Sequence, residues 1–90
     1  MADDIPWTAD PSFRAARRAE TAVVENYELV VIDMPPGPSM AGYITWELYG
    51  PPNTMRLIEW GECCTFEKAK CLAEEALRRA LGMRDDELPE

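Results

Sequence analysis

Ninety residues with 8 prolines and 5 glycines leave room for one hydrophobic core and exclude multi-domain chemistry. Hydrophobic residues at 47% and charged residues at 29% are ordinary for a folded chain and argue against wholesale disorder. The charge is not ordinary: 17 acids face 9 bases with no histidine, a net charge of -8, which sets the chain against nucleic acid as a direct ligand.

Residues 1–9 read as an acidic, flexible arm around Trp7, with no periodicity to suggest a regular element. Asp10-Pro11 is a helix-start signal, because the carboxylate accepts free N–H groups of a first turn and proline suits the first helical position. A short helix is predicted to about Glu20, with Phe13, Ala16 and Ala19 or Ala15 inward and Arg14, Arg17 and Arg18 in solvent, and Thr21 to Val24 either extends it or begins a strand. The β-branched run Tyr27 to Asp33 predicts a strand, stopped by Pro35-Pro36-Gly37-Pro38. A second strand follows from the alternation of Ile44, Trp46 and Leu48 with Tyr43, Thr45, Glu47 and Tyr49. Gly50-Pro51-Pro52-Asn53 reads as a turn, and Met55 to Trp60 as a third strand.

Thr65 then caps a helix whose Phe66, Ala69, Ala73, Ala76, Leu77 and Ala80 fall on one face. Gly82 is read as its end, with residues 83–90 an acidic tail. The expected fold is α+β in one domain over residues 10–82: a three-stranded antiparallel β-sheet, a C-terminal helix packed on one face and a short N-terminal helix, in the order α-β-β-β-α.

That order resembles the double-stranded-RNA-binding domain, and local motifs add to the likeness. Gly37-Pro38-Ser39-Met40 stands where the family carries Gly-Pro-x-His, and Gly61 to Lys70 followed by Cys71 to Ala76 resembles its glycine-rich loop, Ser/Thr cap and second helix. The resemblance spans about Asp10 to Leu81 and implies the fold. It does not extend to the RNA-gripping residues, because Met40, Phe66 and Glu67 occupy those positions and Lys70 alone keeps its register. A carboxylate where a phosphate-binding lysine belongs is repulsive, so the resemblance implies a protein-binding relative.

Catalytic signals are sparse. Without histidine there is no Ser-His-Asp or Cys-His arrangement, and no phosphate-binding glycine loop occurs. Three cysteines, Cys63, Cys64 and Cys71, lack the spacing of a zinc site or of a disulfide framework; a reducing cytoplasm is expected, with no metal and no cofactor. Cys63 and Cys64 precede a helix N-terminus, whose partial positive charge can favour a thiolate, but Glu62 and Glu67 oppose one. The longest apolar run, Leu29 to Ile32, is too short to cross a membrane.

Binding is therefore expected in place of catalysis. If the C-terminal helix covers Ile44, Trp46 and Leu48, the opposite face carries Tyr43, Glu47 and Tyr49, joined by either alternating set of the first strand and open to cover by the N-terminal segment. Between Glu20 and Glu67 eight acids meet one base, Arg56. Sheet and loops are thus expected to dock on a basic surface of a nucleic-acid-handling protein, with Tyr43, Glu47, Tyr49, Glu59 and Trp60 as partner-binding residues. Small acidic chains without cofactors are similar in profile to phage-borne inhibitors, anti-CRISPR proteins among them. A homodimer formed through the open sheet face and a thiol enzyme using Cys63 or Cys64 are the alternatives.

Overall fold

The computed structural model describes residues 5–39, 41–50 and 56–87, the last five through their backbone only. Five strands form one antiparallel sheet in sequential order, β1 (Thr8–Ala9), β2 (Arg18–Val24), β3 (Tyr27–Met34), β4 (Tyr43–Tyr49) and β5 (Leu57–Cys63), followed by one helix, α1 (Phe66–Glu87). The expected α-β-β-β-α order is corrected here: five strands replace three, and no N-terminal helix forms.

The physical reason lies in β2. Asp10 does accept the hydrogen bonds a helix start would need, from the Ser12 amide at 3.0 Å and the Ser12 hydroxyl at 2.6 Å, but only a local turn follows. From Arg18 onward the chain pairs along its whole length with Asp33 to Tyr27. That ladder buries Ala22 against Leu29, so tertiary pairing overrides the helical preference of the alanines. Glu25 and Asn26 close the hairpin, with Glu25 held at a left-handed φ of 56°, the backbone hand that two-residue hairpins require.

The second predicted strand coincides with β4 and the first with most of β3, while the third is shifted, since β5 begins at Leu57; Met55 lies outside the described residues. α1 begins as expected, with the Lys68 amide donating to Thr65 Oγ1 at 3.1 Å. It does not end at Gly82 but runs on through Glu87.

α1 packs on β3, β4 and β5. Phe66, Ala69, Ala73, Ala76 and Leu77 meet Tyr27, Leu29, Val31, Trp46 and Leu48 from one side of the sheet. The alanines bring the helix axis close, and Gly61 does the same within the sheet. It stands opposite Trp46, and a Cβ there would come within 2.8 Å of the indole Nε1. Gly61 is therefore the slot into which the Trp46 ring lies flat.

Candidate interaction surface

Directly opposed residues of an antiparallel ladder share a face, so the registers assign every strand residue to a side. Leu29, Val31, Trp46, Leu48, Glu59 and Gly61 face α1. The other side carries Val23, Glu28, Tyr49 and Leu57 in one row, Thr21, Val30, Glu47 and Trp60 in the next, and Ala19, Ile32, Thr45 and Glu62 in a third; Met34 and Tyr43 continue beyond. Of the two sets on β3 compatible with its sequence, the structure selects Glu28, Val30 and Ile32 for this side.

No helix or strand among the described residues lies over this face. Trp7, the aromatic of the arm, goes to the opposite side: it packs against the core, donates from its indole Nε1 to Glu74 at 2.7 Å and lies under Lys70, whose Nζ is 5.2 Å from the ring centre. Trp60 remains 59% exposed, Val23 61%, Leu57 and Ile58 each 44% and Tyr43 37%. The register skips Ile58 between the pairs Leu48–Glu59 and Tyr49–Leu57, a bulge that places Leu57 and Ile58 side by side at the margin of the face.

Charge separates the two sides. Lys70 and Arg18 both bind Glu20, at 2.8 and 2.9 Å, Arg18 also reaches Glu67 at 3.5 Å, Arg17 reaches Asp33 at 3.9 Å, Arg79 binds Glu59 at 2.7 Å and Arg78 reaches Glu74 at 3.8 Å. All of these acids lie on α1 or on the α1 side of the sheet. Burial alone would raise the Glu20 carboxyl pKa, but the hydrogen bonds from Lys70 and Arg18 outweigh it and hold the group below its usual value. Four of the eight acids counted between Glu20 and Glu67 are thus already ion-paired, which corrects the picture of a uniformly acidic sheet.

On the open side, Glu28, Glu47 and Glu62 form no ion pair among the described residues. Each is one strand and one row from the next, so they draw a diagonal with steps of roughly 7–8 Å. Tyr49 stands beside this diagonal. Its hydroxyl donates to Glu47 Oε1 at 2.7 Å, and that bond, burial and the charges of Glu47 and Glu28 push its pKa up to about 12. The phenol reports a negative potential over the face.

Four of the five expected site residues, Tyr43, Glu47, Tyr49 and Trp60, therefore share one surface. Glu59 does not join them; it points to the α1 side and is bound by Arg79. Glu62, Leu57 and Ile58 belong to the surface and were missed, because the side of Glu62 depends on strand register and the placement of Leu57 and Ile58 on the bulge. Glu28, in one of the two alternating sets expected from the first strand, is placed here by its pairing with Tyr49.

The thiols have a different setting. Cys63 and Cys64 line a cleft of about 350 Å³ with Arg17, Asp33, Ile44 and Tyr43, where Arg17 is engaged by Asp33. Cys63 is half-buried against the core, while Cys64 and Cys71 are exposed. Among the described residues no group of three metal-ligating side chains converges, and no helix is long and apolar enough to cross a membrane. Of the positions compared with RNA-contacting residues, Phe66 is buried, Lys70 is bound to Glu20 and Met40 lies outside the described residues. Comparison of the chain with protein-family models, with curated proteins and with solved structures gives no match, so nothing ties the fold to the double-stranded-RNA-binding domain.

Proposed function

We propose that the open sheet face is a docking surface for a protein partner whose own contact surface is basic, and that the chain works by occupying that surface and not by catalysis. One observation carries the reading: three carboxylates without an ion pair among the described residues, Glu28, Glu47 and Glu62, lie on the same bare face as the exposed rings of Trp60 and Tyr43. Aromatic anchors supply contact area, and arginine is the natural complement, since its guanidinium pairs with carboxylates and stacks on rings. Two copies meeting face to face would oppose six such carboxylates, which disfavours the open face as a homodimer interface.

Basic surfaces of this kind are presented by proteins that grip nucleic-acid phosphates. The chain does not imitate a duplex. The diagonal spans roughly 15 Å, over which duplex DNA would carry about nine charges. Its carboxylates instead steer and anchor a protein contact. A chain seated in a phosphate-binding groove is an inhibitor or adaptor of the protein that owns the groove, with anti-CRISPR action as the leading instance.

The test is capture from cell extract followed by competition. The expected result is a nucleic-acid-binding partner that duplex DNA or RNA displaces, that Glu47→Lys and Trp60→Ala release, and that Glu59→Gln retains. A partner held equally by wild type and by Glu47→Lys overturns the reading.

A further inference from the structure

The two edges of the sheet are not alike. β1 is a two-residue strand that blocks part of the β2 edge, the short-strand protection common in monomeric sheets. β5 closes the other side with seven residues, Leu57 to Cys63, containing no proline, lysine or arginine. Among the described residues no strand pairs with its outer edge. Three of the exposed large apolar residues, Leu57, Ile58 and Trp60, sit on this one strand.

We propose that β5 pairs with β5 of a second copy across a two-fold axis at Trp60, joining two sheets into one of ten strands. Register favours a second copy, and the edge holds little free charge to select a basic strand. Of the two β5 carboxylates well inside the strand, Glu59 is neutralised by Arg79 at 2.7 Å, so the edge itself offers a cationic strand only Glu62. An antiparallel register centred on Trp60 sets Trp60 against Trp60 of the other copy, Ile58 against Glu62 and Glu59 against Gly61. The registers centred on Glu59 or Glu62 bring identical carboxylates face to face, which is destabilising. Centring on Gly61 avoids that but separates the tryptophans. The Trp60 register alone both avoids opposed carboxylates and pairs the most exposed rings, an isologous contact that closes on itself.

This pairing uses the edge of β5 and shares Trp60, Ile58 and Glu62 with the docking surface, while it leaves both open faces on the same side of the joined sheet. Salt separates the two contacts. Copies of net charge -8 repel at low ionic strength, and the Debye length falls from about 10 Å at 0.1 M salt to about 3 Å at 1 M, so self-pairing strengthens with salt while docking on a basic partner weakens.

Sedimentation equilibrium on the whole chain, with thiols kept reduced, tests it. Wild type is expected to approach twice the chain mass with rising concentration, and at lower concentration in 1 M than in 0.1 M sodium chloride. Ile58→Glu, opposed to Glu62 of the other copy at two symmetric places, is expected to weaken the dimer by about 2- to 30-fold, and Ile58→Glu with Glu62→Lys to restore it. Trp60→Glu, opposing carboxylates on the axis, gives a second weakening variant if the first is misfolded by circular dichroism. A wild-type monomer at every concentration in both salts overturns the proposal, as does an Ile58→Glu variant that folds and dimerises like wild type, or a charge swap without recovery.

Discussion

Glu47 and Trp60 stand directly opposite one another across β4 and β5, on the side of the sheet that α1 leaves bare. Glu47 uses one oxygen to hold the Tyr49 hydroxyl and forms no ion pair among the described residues, while the indole beside it is 59% exposed. A negative charge and a solvated aromatic ring placed side by side match the arginine of a partner.

The Tyr49 phenol titrates out of the ordinary range. Its folded pKa of about 12 lies above the unfolded value of 10.0, so the unfolded state loses its proton first as pH rises. The stabilisation is complete below about pH 10 and is lost toward pH 12. Ultraviolet titration of phenolate absorbance should show a phenol ionising near 12, and Glu47→Gln should bring it down toward the ordinary value.

Glu20 acts at the acid end. Its folded pKa is held below 4.5, so its contribution is present above that value and disappears as pH falls through the folded pKa. Glu20→Gln should cost about 1 kcal/mol at neutral pH and flatten the acid limb of stability. Urea melts at neutral and acidic pH measure both.

Two glycines have opposite expected effects. Gly61→Ala drives a methyl into the Trp46 indole and should destabilise by about 1–3 kcal/mol. Gly82 lies inside α1, has no heavy atom near the position of an added Cβ and does not take a positive φ, so Gly82→Ala should stabilise by about 1 kcal/mol. Were Gly82 a left-handed helix terminus, alanine would destabilise instead. Denaturant midpoints for both variants decide.

Trp7 is a structural strap. It packs against the core beside α1, donating to Glu74 with Lys70 over its ring. Trp7→Ala should cost about 2 kcal/mol of stability and leave partner affinity unchanged, because the Trp7 side chain lies on the side away from the docking face. Loss of affinity by a variant that is still folded would place the arm in the interface.

What the sequence made legible follows from periodicity. Tyr43 to Tyr49 alternates without interruption, and the α1 stripe from Phe66 to Leu77 is equally regular, so both elements and the inward side of β4 were readable. Arg18 to Val24 was not. Its alanines and the preceding Asp-Pro favour a helix locally, and only the pairing with Asp33 to Tyr27 makes it a strand. The hairpin between them was hidden because glutamate rarely adopts the left-handed φ that Glu25 takes. The site was half legible for the same reason. Alternation within β4 placed Tyr43, Glu47 and Tyr49 together, whereas the sides taken by Glu59 and Glu62 depend on the register of β5 against β4, which sets Glu59 opposite Leu48 and Glu62 opposite Thr45.

The most direct measurement is the affinity of a captured, identified partner for Glu47→Lys and for Glu59→Lys, titrated side by side at two salt concentrations. The expected result is at least a tenfold loss for Glu47→Lys, on the order of 1.4 kcal/mol, with little change for Glu59→Lys and weaker wild-type binding at the higher salt. Equal affinity for wild type and Glu47→Lys, or binding that salt leaves untouched, contradicts a basic partner on the open face.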